Sequence, residues 1–377
     1  MLDALVWIVL GATLIPAHRA ARNASRAQLA ALIAVEVIAL MMCVLAAASE
    51  RTWSAVAQED GIVEWATFLA FMMAAGWLVV VVRRISPSWW FQGACLLLAA
   101  FCLVVAGEEI SWGQRLFGFK PPDVFLERNF QQELNLHNVL MDERGLGFAL
   151  ESKHLVMAIV VGFCIAWPML VRRKRFEVFA PLAPPFAFVP LGLAVFAAEL
   201  TYKVELTGEG AELIAGLIFL ASAIVAVRPR PLTVAVWLAA PVVVGILLST
   251  VMTRVMFGSD EAGTRAAAAE LALLQQDVVA GATDKLLDKT VHKRVYTSMR
   301  DGYLRLDGGA FLEGQTARHD RRGYFLDPWN NPYWVHYNKK TRSGAVYSFG
   351  PNRRRDVAIR DADSDPGDDV IVRFSIP

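Results

Sequence analysis

The sequence predicts an α-helical polytopic membrane bundle followed by a small α+β domain, in which one long helix packs on a short antiparallel sheet. Hydrophobic residues make up 55% of the 377 residues and charged residues only 19%, with a formal net charge of +1. This balance is typical neither of a soluble protein nor of a nucleic-acid-binding protein. The long apolar runs stop near residue 257, which predicts a membrane domain at 1–257 and a soluble domain at 258–377.

Apolar runs in the membrane domain set the predicted number of spans, because a helix needs about 20 mostly apolar residues to cross the hydrocarbon core. The clear runs lie near 28–48, 62–82, 89–107, 154–171, 179–199, 210–227 and 232–253. An earlier run, Leu2 to Ala17, is short and contains Pro16, so whether it is a true span stays open. It lacks the features of a signal peptide, and we count it as a membrane segment. The predicted bundle therefore has about eight spans.

Basic residues collect in alternate connections between these spans, as expected of cytoplasmic loops. The basic clusters are Arg19 with Arg22 and Arg26, Arg83 with Arg84, Arg172 to Arg175, and Arg228 with Arg230. The other connections, 49–61, 108–153 and 200–209, mix acids with bases and are predicted to face outward. The sequence thus predicts a multi-pass protein of a bacterial inner membrane, in contact with membrane lipid, whose C-terminal domain is periplasmic or extracellular.

The soluble domain begins with a helical pattern from Thr264 to about Val279, where apolar residues recur at helical spacing. Beyond Asp301 the sequence changes to short Gly-rich and aromatic runs separated by turn residues. Three of these runs predict antiparallel strands, at 333–337, 344–348 and 370–374.

One motif in this domain is specific enough to suggest a family. The string Asp327-Pro328-Trp329-Asn330-Asn331-Pro332-Tyr333 is preceded by Gly323-Tyr324-Phe325-Leu326 and followed by an aspartate run that ends at Asp369. Residues 264–377 resemble the calcium-binding C-terminal module of the type II secretion major pseudopilin. The resemblance implies a pseudopilin-like fold, calcium, and envelope or secretion proteins as partners. Asn330 departs from it, since the family commonly has glycine there.

A second departure lies before the module. The family polymerises through one N-terminal helix released by a peptidase, whereas the helix that precedes this module is the last of a multi-span bundle. We therefore expect a recognition or scaffold module rather than a pseudopilus subunit.

The resemblance places calcium in the loop before the last strand. The matching ligand candidates are Asp361, Asp363, Asp365, Asp368 and Asp369. Calcium prefers several oxygen ligands in a flexible loop, and so many neighbouring aspartates repel one another without a counter-charge. The alternative is a solvated acidic loop balanced by nearby arginines, which is the usual role of such charge runs.

The membrane domain has its own group of chemically able residues near the outer face. The candidate catalytic residues are Glu108, Glu109, Glu133 and His137. Further ionisable residues near that face are Glu64, Glu199, Lys203, Glu205, Glu209 and Glu212. Ionisable residues in spans usually face a cavity, so this grouping suggests an outward-facing pocket for acid/base chemistry or a divalent transition metal. One alternative is that Glu108 only forms an internal ion pair with Arg115. The other is that Glu209 and Glu212 are acids in the first turn of a helix, where a negative charge is favourable.

Two hypotheses follow from the sequence. In the first, a non-enzymatic envelope component presents a calcium-stabilised module to the periplasm for protein binding or secretion-related assembly. In the second, an integral membrane enzyme, a hydrolase or transferase, acts on a lipid-linked substrate. The string Glu108-Glu109-Ile110-Ser111-Trp112 resembles one found in polytopic bacterial membrane proteins without an assigned activity, and it does not decide between them.

Overall fold

The computed structural model divides the chain into two compact units. The helical unit comprises Met1–Trp112 with Leu146–Ser249, and the mixed unit comprises Gly113–Gly145 with Thr250–Pro377. The residues described are 17–19, 22, 24–48, 50–58, 60–85, 88–129, 132–136, 158–200, 207–252, 260–306, 321, 323–356 and 366–376. The predicted short span at 2–17 lies almost wholly outside them.

Helices dominate the helical unit, and several of them are long and apolar. In chain order they are α1 (Arg26–Ala48), α2 (Glu50–Ala57), α3 (Ile62–Arg84), α4 (Trp89–Glu109), α5 (Ala158–Leu170), α6 (Val189–Leu200), α7 (Thr207–Ala226) and α8 (Pro231–Val251). Five of those described, namely α1, α3, α4, α7 and α8, are long and apolar enough to cross a membrane. These helices indicate a membrane protein.

Two of the predicted spans have a different form in the structure. The run near 154–171 is described from Ala158 onward as the shorter apolar helix α5, which includes a π-helical turn at Gly162–Ala166. The run near 179–199 is broken, because the 3₁₀ helix Lys174–Leu182 and the next helical segment, from Phe186, are bent by 77°. The Pro-Pro pair before Phe186 explains the break, since proline has no backbone N–H to continue a helix. The described residues thus give five spans, or six if the bent pair is one, and a count of about eight is not confirmed.

The helix α7 lies inside the helical unit, with 78% of its apolar window buried. Small residues allow close helix packing here. A Cβ added to Gly216 would lie 3.1 Å from the Ala70 Cβ of α3. A Cβ added to Gly245 of α8 would lie 3.0 Å from the Ala66 nitrogen of α3. These close contacts hold α3, α7 and α8 together around the acidic ends described below.

The mixed unit contains a four-stranded antiparallel sheet in the order β1-β2-β3-β4. Its strands are β1 (Val291–Arg294), β2 (Trp334–Asn338), β3 (Ser343–Ser348) and β4 (Val370–Ser375). The long helix α9 (Glu261–Gly281) packs against β3 and β4. Short helices lie at Gln114–Phe117, Asp123–Arg128, Asp284–Leu287 and Val295–Arg300. The predicted small antiparallel sheet is thus confirmed, and β1 is an additional strand that the sequence analysis missed.

A segment of the loop after α4 belongs to the mixed unit. The side-chain amide of Gln132 donates to the Tyr324 carbonyl at 3.2 Å. The side-chain amide of Asn330 donates to the Gly118 carbonyl at 2.8 Å. Because these hydrogen bonds join residues 192 and 212 positions apart, the compact unit extends beyond the soluble domain that the sequence predicted.

Candidate functional site

The end of α4 holds the first two candidate catalytic residues. α4 ends at Glu109, and Ser111, Trp112 and Gly113 all have positive φ, at 45°, 53° and 79°. The helix therefore ends at Glu109 and does not continue through Trp112. Trp112 still reaches back, and its Nε1 donates to Oε1 of Glu108 at 2.7 Å.

The structure describes the surroundings of only one of the other two candidates, Glu133 and His137. Glu133 lies in the mixed unit, where Nη1 of Arg115 donates to its Oε1 at 3.1 Å. Both side chains are buried, with 8% and 5% exposed. His137 lies outside the described residues. The structure thus gives Glu133 a structural ion pair within the loop segment.

Three carboxylates meet where α4 ends and α7 begins. The side-chain oxygens of Glu109, Glu209 and Glu212 all lie within 4.8 Å of one another, and each residue is partly buried. Glu209 occupies the first turn of α7, where an acidic side chain interacts favourably with the helix N-terminus. Glu64, in the first turn of α3, accepts a hydrogen bond from the backbone N–H of Asp60.

Glu109, Glu209 and Glu212 form a candidate chemical site in the helical unit. Carboxylates this close favour a shared proton or a bound cation, because like charges at short range raise the cost of full ionisation. Oxygen donors of this kind suit hard cations or proton transfer. Sequence reasoning named each of these residues but grouped Glu109 with Glu108, Glu133 and His137, because nothing in the sequence shows that α4 and α7 converge.

A second carboxylate group lies in the mixed unit, before β4. The side-chain oxygens of Asp356, Asp368 and Asp369 lie within 4.8 Å of one another. Asp368 and Asp369 are two of the predicted calcium ligands, and Asp361, Asp363 and Asp365 lie outside the described residues. Asp356 is a member that sequence reasoning missed, because it stands 12 positions before Asp368, beyond the aspartate run.

The backbone and an asparagine hold this aspartate group together. The N–H of Asn352 donates to Oδ2 of Asp368, and Nδ2 of Asn352 donates to Oδ2 of Asp356, both at 2.8 Å. The N–H of Asp356 donates to Oδ2 of Asp369 at 3.0 Å. Gly367 has a φ of 59°, and a Cβ there would overlap the Asp356 side chain. Glycine therefore lets the loop approach Asp356.

The electrostatics of this group fit a cation. Burial, with the adjacent Asp356 carboxyl adding to it, raises the pKa of Asp368 to about 7. A cation would remove that repulsion and favour the ionised form. The donor set consists of hard oxygens on a loop, which is the chemistry that calcium prefers.

The Asp-Pro-Trp motif forms a closed turn within the mixed unit. Oδ1 of Asp327 accepts from the N–H groups of Trp329 and Asn331, at 3.0 and 2.8 Å, and its Oδ2 accepts from the Ser348 hydroxyl at 2.7 Å. Burial raises the pKa of Asp327 to about 7 in spite of these donors. Asn330 has a φ of 66°, a left-handed conformation that glycine and asparagine tolerate best, which accounts for asparagine at this position.

Comparison of the chain with protein-family models, with curated proteins and with solved structures found no match.

Proposed function

We propose that this protein is a bacterial inner-membrane protein that presents a calcium-stabilised, pseudopilin-like module to the periplasm, where the module binds another protein in an envelope or secretion-related assembly. The observation that carries the proposal is the convergence of Asp356, Asp368 and Asp369 at the site where the family resemblance expects calcium. Asp356 strengthens it, because a third carboxylate from a separate turn makes a better cage than one acidic run.

The proposed location rests on two supports. Loop charges put the connection after α4 on the outer side. The segment 114–136 of that connection folds into the same compact unit as the C-terminal module. A folded unit lies on one side of a membrane, so both parts share the side that the loop charges assign.

Calcium is expected to stabilise the mixed unit of the full-length protein in detergent. At a concentration a hundredfold above its Kd, a ligand that binds only the folded state adds about 2.7 kcal/mol to the free energy of unfolding. The pKa of Asp368 is raised from 3.8 to about 7, so without calcium the unit loses stability as the pH rises through that range. Calcium should oppose this loss and stabilise more at pH 8 than at pH 5. Urea titration followed by pulse proteolysis measures the difference.

The matched variants are Asp368→Asn and, as control, Asp288→Asn, which changes an exposed aspartate of the same unit. Asp368→Asn should lose the calcium response and also the pH dependence that comes from this carboxyl, whereas Asp288→Asn should keep both. Equal calcium responses in the two variants, or none in the native protein, would exclude the proposed site.

A second candidate function is an integral membrane hydrolase or transferase that acts on a lipid-linked substrate at the outer face. The approach of the Glu109, Glu209 and Glu212 carboxylates favours it, because acid/base or metal-assisted chemistry needs such a group. A divalent transition metal at this group would belong to this function.

Under this second function, Glu109→Gln should abolish complementation of a strain that lacks the protein, while expression and the calcium response stay native. Glu177→Gln, which alters an exposed residue of the same unit, should complement fully. Full complementation by Glu109→Gln would reject the enzyme hypothesis. Loss of complementation by Asp368→Asn alone would favour the anchored module.

A further inference from the structure

Two histidines stand side by side on the sheet face opposite the core of the mixed unit. His292 of β1 and His336 of β2 are direct partners in the antiparallel register. Their neighbours Val291 and Val335 are buried in the core cluster with α9 residues such as Leu274. Because side chains alternate along a strand, both imidazoles project from the other face, and directly opposite residues share that face. Their ring centroids are 5.9 Å apart.

Aromatic neighbours fix the orientation of the His292 ring. It lies against Trp334 with centroids 5.0 Å apart, and its Nε2 is hydrogen bonded to the Tyr347 hydroxyl. The guanidinium of Arg294 covers the Trp334 ring at 4.4 Å from its centroid. Histidines that bind metals commonly hold their second ring nitrogen in such a hydrogen bond, which sets the tautomer and the ring angle.

We propose that His292 and His336 form a binding site for a divalent transition metal of the zinc, nickel or copper class. Imidazole nitrogens suit these metals, and two imidazoles placed across neighbouring strands supply two ligands from a rigid support. Water completes the coordination at this exposed edge, so the site is a two-residue surface site rather than a closed structural one.

This site is distinct from the aspartate group in both chemistry and residues. Calcium is a hard cation that takes oxygen ligands, and it binds imidazole poorly. Zinc at His292 and His336 should therefore persist in excess calcium. The alternative reading is an aromatic cluster in which the two rings only pack against Trp334, and it predicts no specific zinc binding.

The test is zinc binding by the full-length protein in detergent, produced without a polyhistidine tag and measured by competition with a chromophoric zinc indicator in excess calcium. His292→Gln and His336→Gln should each weaken zinc binding at least tenfold, and the double variant should be little worse than either single one. His18→Gln, a change in the helical unit, is the control and should bind zinc as the native protein does.

The calcium-dependent stabilisation of each variant shows whether the mixed unit remains folded. Zinc binding only in the millimolar range, or tighter binding unchanged by both glutamine variants, would overturn the proposal. Zinc binding lost in Asp368→Asn but kept in His292→Gln would place the metal in the aspartate group and would also overturn it.

Discussion

Replacing Glu270 with alanine is expected to unfold the mixed unit or bring it close to unfolding. Glu270 lies on α9 with 0% of its side chain exposed and pairs with Arg321, which is 2% exposed, at 2.8 Å. It also accepts a hydrogen bond from the Tyr333 hydroxyl at 2.5 Å. Removing one partner of such a pair leaves a buried charge without its counter-ion, which costs about 3–5 kcal/mol. Pulse proteolysis in urea measures this loss.

An exposed ion pair on the same helix supplies the control. Glu261 pairs with Arg265 at 3.4 Å, with side chains 89% and 73% exposed, and pairs of this kind are worth about 0–1 kcal/mol. Glu261→Ala should therefore shift the urea midpoint little. The double replacement Glu270→Met with Arg321→Met removes both charges and should recover much of the lost stability. A Glu270→Ala midpoint no lower than that of Glu261→Ala would contradict the buried-pair interpretation.

Replacing Asp327 with alanine should have the second-largest effect. This carboxyl accepts from two backbone N–H groups and one hydroxyl inside the Asp-Pro-Trp turn. Alanine leaves these donors without an acceptor, and each buried donor left so costs about 1–3 kcal/mol. We expect a loss of several kcal/mol in the urea unfolding of the mixed unit.

Asparagine at the same position separates hydrogen bonding from charge. Asp327→Asn keeps an acceptor for Trp329 and Asn331, and its amide can donate to Ser348. Since burial raises the pKa of Asp327 to about 7, the neutral side chain should cost little below that pH. Relative to the native protein, the variant should gain stability as the pH rises from about 4 to about 7, where the unfolded native chain has released the Asp327 proton and the folded one has not, and it should keep that gain at higher pH. Equal losses for alanine and asparagine would show that the carboxylate charge itself is required.

Much of the architecture follows from local patterns in the sequence. Five apolar runs became helices long enough to span a membrane, and the aromatic runs became β2, β3 and β4. The strand β1 escaped notice because its sequence, Val-His-Lys-Arg, is short and mostly polar. The break after Leu182 was readable in principle, since Pro184 and Pro185 stand inside the apolar run.

The candidate sites consist of carboxylates from segments that are distant in sequence, and no local sequence pattern encodes which segments come together. Asp356 joins Asp368 and Asp369 only because a turn at Asn352 brings it back to the last strand. Glu109 meets Glu209 and Glu212 because two helices distant in sequence end at one place. The sequence analysis named all of these carboxylates except Asp356, but not which of them lie together, because tertiary packing alone determines the partners.

The loop segment 114–136 changes how the mixed unit is attached to the rest of the protein. The chain passes between the two units three times, after Trp112, after Gly145 and after Ser249. A single proteolytic cut between α8 and α9 would therefore leave the C-terminal fragment attached only noncovalently, through contacts with the loop such as the Gln132 and Asn330 hydrogen bonds. The fragment 258–377 lacks the loop segment 114–136, which is part of the folded unit. The module is therefore not separable from the membrane protein as one continuous piece of chain.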